Sequence, residues 1–377
     1  MTSIDEQLER LAQFEAVGMP VLSLYLDARA DQHGKDTFDA FVKKELSERT
    51  KAFPPGSEEL KSFKADSERI HEFLRKERQA SANGIAIFAC SALEFFETLQ
   101  LDAPIEQNAL YVNDLPNLYQ LAKLNDQYPR YAVLVADTNS ARIFVYALRK
   151  LERQQEIQNV KTGSTSIGGW SQARYQRHVE NYHLHHAKEV IDTLDRIVRN
   201  EGIERVIICG DEVIVPTLQD QMPQHLSDKI VDTLRLDIRT PDHEVLAATL
   251  EKLHEKDAET DAAKVERLIG EYRSGGLGVV GTSDTLAALG IGQVDELLIT
   301  AAPASLDDEA VLEATTANHT LPPDKPDAEL PQDTAKEIAA DALVTAAKQT
   351  GAKVTFIEDP VLLAEFGGVG ALLRYKV

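Results

Sequence analysis

Between Lys161 and Arg199 the chain carries its densest set of residues able to do chemistry: a polar, glycine-bearing stretch, KTGSTSIGGW, that runs directly into SQARYQRHVENYHLHHAKEVIDTLDRIVR. Tyr175, Val179, Tyr182, His186, Val190, Leu194 and Ile197 recur at steps of three or four, the spacing of one buried helix face. On the same wheel Arg174, Arg177, His178, Asn181, His185 and Lys188 fall within a wedge of about 100° on another side. The pattern predicts a flexible tip at Gly168, Gly169 and Trp170 on a stiff helical handle, with a basic ridge just behind the tip. Taken alone, such a ridge is an ordinary solvated helix face, so its meaning depends on what surrounds it.

Other residue sets invite chemistry, and each has a plainer explanation. His183 and His186 share a helix face at a spacing of three, with His178 and His185 close by. His186 belongs to the apolar stripe and no carboxylate stands at a familiar metalloenzyme spacing, so core packing and outward-facing charge account for the four histidines and no metal is expected. Asp137 closes one strand and Asp211 follows another, which would set two carboxylates at one sheet edge as in a two-metal nuclease; turn capping is the commoner role there. Gly275, Gly276, Gly278 and Gly281 lack the spacing of a dinucleotide fingerprint and no Walker lysine is present, so no cofactor is expected. Gly367-Gly368, before an apolar terminal strand, reads as close backbone packing.

A length of 377 residues allows two or three domains with genuine cores to hold these groups. A net charge of −22 argues against a surface that grips nucleic acid everywhere and leaves room for local basic patches. The two cysteines, Cys90 and Cys209, lie in or beside apolar runs and read as buried thiols in a reducing compartment. The acidic, helical N-terminal stretch MTSIDEQLERLAQF and the lack of about 18 consecutive apolar residues make a cytoplasmic location, with no membrane, the expectation.

Three α/β units follow in order, with boundaries expected at 1–127, 128–265 and 266–377. The first has helices over 4–17, 36–51 and 58–80 and strands at 20–27 (half-buried), 85–89, 95–101 and 109–112. The second opens with two apolar strands, YAVLVAD and ARIFVYAL, joined by Thr138-Asn139-Ser140, then a polar stretch over 152–165, the glycine loop and its helix over 171–200. A central strand, RVIIC, and helices over 218–225 and 241–256 complete it, the last continuing toward Arg273. The third alternates strand, helix and strand from Leu277, is interrupted by an acidic, proline-bearing insertion over 302–332, and ends with a helix over 334–350, a strand over 353–357 and FGGVGALLRYKV.

Three of these stretches, in this order, resemble the archaeo-eukaryotic class-1 peptide release factor superfamily, which includes Pelota and bacterial relatives. GGWSQARYQR at 168–177 is similar to the family's GGQSALRFAR loop and helix start; GVVGTSDTLAALGIGQVDELLI at 278–299 is similar to the opening of its third domain; and FGGVGALLRY at 366–375 is similar to its FGGIGGILRY. The resemblance implies an N-terminal α/β domain of the decoding type, a central RNase H-like domain carrying the loop, and a C-terminal α/β/α sandwich of the kink-turn-binding ribosomal-protein type. It implies a ribosome-binding protein that meets rRNA and peptidyl-tRNA in stalled ribosomes. Gly168, Gly169, Trp170 and Gln172 would stand at the peptidyl-tRNA ester, a backbone N–H stabilising the developing oxyanion, and Arg174, Arg177, His178 and Lys188 would contact RNA phosphates. Trp170 replaces the family's glutamine, a ring that can stack on a base in place of a side-chain amide. No Asn-Ile-Lys-Ser loop is present, and Tyr111-Val-Asn113 lacks the Cys and Phe of the family's codon-reading element, so stop-codon decoding is not expected. A non-hydrolytic Pelota-like factor and a metal-dependent nuclease are the alternatives.

Overall fold

The computed structural model describes residues 4–14, 18–30, 38–158, 172–307 and 332–376. It forms two compact α/β units, Met1–Gln127 together with Ala258–Val377, and Tyr128–Asp257. The expected insertion over 302–332 falls almost wholly outside the described residues, as does the glycine loop.

In the first unit, β1 (Val21–Asp27) pairs antiparallel with β2 (Gly84–Cys90) and β4 (Ala109–Asn113), and β3 (Phe95–Leu101) extends the sheet beyond β2. Helices α1 (Ile4–Ala12), α2 (Phe38–Thr50) and α3 (Glu58–Lys76) belong to the same unit. Phe38, Val42, Leu46, Phe63, Ile70 and Phe73 from α2 and α3 bury one sheet face with Leu22, Leu24, Ile85 and Ile87. Here the alternation of β1 misleads: it predicts a half-buried strand, yet its polar positions Ser23 and Tyr25 are also buried. The physical reason is that both hydroxyls are satisfied inside the fold, Ser23 Oγ accepting from the Asn117 N–H at 2.9 Å and Tyr25 donating to the Asn117 carbonyl at 2.6 Å.

The same unit contains a second sheet, in the order β10 (Gly278–Val280), β13 (Val369–Leu373), β11 (Val294–Thr300), β12 (Lys353–Ile357), in which only β11 and β12 run parallel. With it are α9 (Thr282–Gly290) and α10 (Gln332–Gln349). Helix α4 (Tyr119–Gln127) is fastened to these C-terminal elements: Asp341 of α10 accepts the N–H groups of Leu118 and Tyr119 at 2.6 and 3.0 Å, and Asp126 accepts from the Phe356 N–H at 2.9 Å. An acceptor at its first N–H groups satisfies donors that a helix start leaves open, and the Asp126 carboxylate closes one edge donor of β12.

The second unit is built on one five-stranded sheet, ordered β7 (Lys150–Gln158), β6 (Ser140–Ala147), β5 (Tyr131–Ala136), β8 (Val206–Gly210), β9 (Ile230–Leu234). The β5-β6-β7 part is antiparallel, and β8 and β9 add parallel to β5. Strand β7 occupies what reads in sequence as a polar lead-in to the loop. It is an edge strand exposed along most of its length, so its side chains carry no apolar signal and the ladder to β6 alone defines it. Helices α5 (Gln172–Asn200), α6 (Ile214–Asp220), α7 (Gln224–Ser227) and the first half of α8 (Asp242–Arg273) complete the unit.

Candidate functional site: the helical handle and the sheet beneath it

Helix α5 begins at Gln172, two residues beyond Trp170, and runs 29 residues. Its hold on the sheet comes from Ala187, Val190, Ile191, Leu194, Ile197 and Val198, which are buried together with Leu134, Ile143, Val145, Val206 and Ile208 of the strands. Burying a Val, Leu or Ile side chain stabilises by about 1.5–3 kcal/mol, so this face fixes the handle firmly. The helix ends where the sequence places its stop: Gly202 has φ of +61°, and the Ile203 N–H reaches back to the Val198 carbonyl at 3.0 Å.

Charge fastens the same end. Arg130 donates to the Glu201 carbonyl at 2.6 Å and to its carboxylate at 2.7 Å, and Arg153 reaches the other carboxylate oxygen at 2.6 Å. Two guanidiniums at a helix C-terminus also oppose its dipole. Asp195 is buried and accepts from Arg199 and from His225 Nε2, the latter at 2.6 Å. Sequence reading passes over Asp195, which lies off the stripe of Tyr175 to Ile197 and is paired in the fold by Arg199 and His225.

His186 is fully buried beside the β5–β6 turn. Burial pushes its imidazole below the ordinary range, outweighing the backbone at Ser140 and the Asp137 charge, which act the other way. It is thus a neutral packing residue on the stripe. Asn181, His185 and Lys188 of the expected basic ridge are exposed. Gln172, Arg174, Arg177 and His178 lie on the backbone of α5, and their side chains are outside the described residues; Gly168, Gly169 and Trp170 are outside them altogether.

The structure brings Asp137 and Asp211 to one sheet edge, because Ala136 of β5 pairs in register with Gly210 of β8. Each carboxylate serves its own turn. Asp137 Oδ1 accepts the N–H groups of Asn139 and Ser140, both at 2.7 Å, and Asp211 Oδ1 accepts those of Val213 and Ile214, both at 2.9 Å. Gly210 permits this meeting, since a Cβ there would come within 2.8 Å of the Ala136 carbonyl. Among the described residues no group of three His, Cys, Asp or Glu is arranged to hold a metal ion, and no helix is long and apolar enough to cross a membrane.

Comparison with known proteins gives this handle its context. Residues 116–254 match the family Bacterial archaeo-eukaryotic release factor family 10, and residues 258–377 match eRF1 domain 3. Peptide chain release factor subunit 1 of Pyrococcus abyssi is 23% identical over 423 residues, covering 99% of this chain and 98% of its own. The protein of the same name from Thermococcus kodakarensis is 23% identical over 421 residues, covering 100% and 98%. Among solved structures, archaeal translation termination factor aRF1 aligns over 99% of this chain and 97% of its own at 18% identity with a TM-score of 0.27. Dom34 of S. cerevisiae, a translation termination-like factor, aligns over 78% and 79% at 12% identity with a TM-score of 0.43. The chain belongs to the archaeo-eukaryotic release factor and Pelota superfamily. Its central segment matches the family-10 bacterial group and its C-terminal segment the third release-factor domain.

Proposed function

We propose that this protein binds the ribosome and acts on peptidyl-tRNA in stalled complexes, as a rescue or quality-control factor that does not decode stop codons. One observation carries the proposal. In a chain of this superfamily, the GGWSQARYQR stretch opens a helix whose far end is clamped by apolar packing and by Arg130 and Arg153, and whose described ridge residues Asn181, His185 and Lys188 face solvent. A fixed handle of 29 residues extends about 44 Å at the helical rise, a reach suited to presenting a loop deep inside a larger particle. The five-strand order β7-β6-β5-β8-β9 supports an RNase H-like reading of the sheet that anchors it.

In this reading Gly168 and Gly169 let the backbone close on the ester, and an N–H near Trp170 stabilises the oxyanion as water attacks the carbonyl carbon. The bond from that carbon to the ribose oxygen breaks, and the proton lost by water ends on the leaving hydroxyl. Gln172 helps orient water; Arg174, Arg177, His178 and Lys188 meet phosphates. Trp170 favours a second reading, a Pelota-like factor that binds without hydrolysing, because its side chain has no amide with which to place water.

The test is co-sedimentation with stalled ribosomes between about 50 and 200 mM salt, with peptide release measured in parallel. Binding that falls with salt and release of peptide are expected. A protein that neither pellets with ribosomes nor releases peptide overturns the proposal.

A further inference from the structure

Strands β6 and β7 are joined by two residues, Leu148 and Arg149, with Ala147 paired across to Lys150. Both joining residues take the left-handed backbone, with φ of +45° and +66°, as a two-residue hairpin loop of the I′ class requires. Asn-Gly is the pair such a loop accepts most readily, because a Cβ in that region crowds the neighbouring carbonyl. Leu148 is there for packing: its side chain is buried, and its N–H reaches the Tyr128 carbonyl at 3.2 Å. Arg149 has no such role in the core. It is exposed, and its guanidinium lies over the Tyr128 ring, 5.7 Å from the centroid. Strain kept at a residue that the interior does not use points outward.

Charge defines the kind of partner. Arg130 is spent on Glu152 at 2.8 Å and on Glu201 at 2.7 Å, and Arg153 on Glu201 at 2.6 Å. Arg149 and Lys150, adjacent and both exposed, have no carboxylate partner among the described residues. In a chain of net charge −22, two neighbouring unmatched cations on a hairpin turn make a local positive point. The Arg149 fork presents planar N–H donors that fit phosphate oxygens, and its contact with the Tyr128 ring limits the freedom it would lose on binding. No residue of the handle belongs to this turn.

We propose that the β6–β7 turn is an RNA-contacting surface in its own right, with Arg149 and Lys150 holding backbone phosphates. The inference rests on the reading that this protein binds the ribosome, and adds a contact that the handle does not supply.

The experiment is co-sedimentation of the full chain with purified ribosomes from about 50 to 200 mM salt, for native protein, Arg149→Gly and Lys150→Gln, with urea midpoints measured for each. Glycine accepts the left-handed backbone freely, so Arg149→Gly should keep or raise the midpoint while weakening ribosome binding by about fivefold to tenfold and lowering the salt slope by about 1. Lys150→Gln should weaken binding by about threefold to fivefold, with a similar loss of slope and an unchanged midpoint. Native protein that pellets with ribosomes, beside variants that bind equally well with the same slope, overturns the proposal and leaves the ribosomal reading standing. A midpoint that falls in Arg149→Gly makes the arginine a fold residue and overturns it as well. Native protein that does not pellet removes the ribosomal reading and this contact with it. Capture of the native chain, and not of Arg149→Gly, by vesicles of phosphatidylcholine and phosphatidylserine, with ribosome binding unaffected by the substitution, would assign the turn to a membrane and overturn the RNA contact.

Discussion

Two glycine pairs in this chain invite comparison, one described within the fold and one proposed to act on a partner. At Gly367 and Gly368 both residues have positive φ, +70° and +80°, and the pair is sewn into the fold: the Gly368 N–H reaches Leu363 at 3.0 Å and its carbonyl accepts from Thr300 at 2.9 Å. A Cβ on Gly367 would collide with the Asp307 carboxylate, and one on Gly368 would meet the Ser305 carbonyl at 3.0 Å. The fold itself accounts for this pair. Gly168 and Gly169 lie outside the described residues; the helix that follows them in sequence is held by its apolar face, with Asn181, His185 and Lys188 exposed. Under the proposed function this second pair acts on a partner outside the chain.

The largest effect that would break this contrast comes from Gly169→Ala, which should lower peptide release by about 100-fold or more, the loss typical of a displaced oxyanion donor, with the melting temperature unchanged. A fall in stability in place of activity would make the two pairs alike.

Next in size is a charge turned wholly inward. Asp341 is buried, its Oδ1 held by Leu118 and Tyr119, and burial raises its carboxyl from 3.8 to about 7 despite those two bonds. Tyr25 and Tyr111, whose hydroxyls the Asp341 charge helps to raise, bring no positive charge to it. A carboxyl raised in the folded state binds its proton more tightly there than when unfolded, so its contribution to stability is full below about pH 4 and is lost as pH rises toward 7. Asp341→Asn should remove that dependence, gaining about 2–3 kcal/mol on the native protein between pH 5 and pH 8 in urea unfolding. An unchanged pH profile would refute the assignment.

Gly368→Ala should cost about 2 kcal/mol of stability through its positive φ and the close carbonyl, and leave ribosome binding intact once folded. Smallest is Lys188→Ala, expected to change stability by less than about 0.5 kcal/mol and to reduce the salt slope of ribosome binding by about 1. A slope that does not move would remove Lys188 from the contact face.

The handle was legible because its stripe is long: His186, Val190, Leu194 and Ile197 repeat at helical spacing and all four are buried. Strand β7 was not, since an exposed edge strand of sequence KLERQQEIQ owes its conformation to hydrogen bonds with β6 and not to its side chains. Ser23 and Tyr25 misled for the opposite reason, a polar alternation whose hydroxyls found partners in a distant loop at Asn117. Asp137 and Asp211 show both sides at once: their shared edge followed from strand order, while their use as turn acceptors depended on backbone geometry that a pattern of residue types does not carry. The hydrogen bond from Tyr111 to Glu337 joins residues 226 apart in sequence, beyond the reach of any local motif.

We propose that the 168–169 glycine pair acts on peptidyl-tRNA and the 367–368 pair only on the fold. Single-turnover peptide release from purified ribosomal complexes, with and without a stop codon in the A site, tests it most directly when native protein and Gly169→Ala are compared at equal ribosome occupancy. Release by the native protein in both complexes, lost in Gly169→Ala while binding persists, is the predicted result. Binding with no release by the native protein, or equal release by Gly169→Ala, would contradict it.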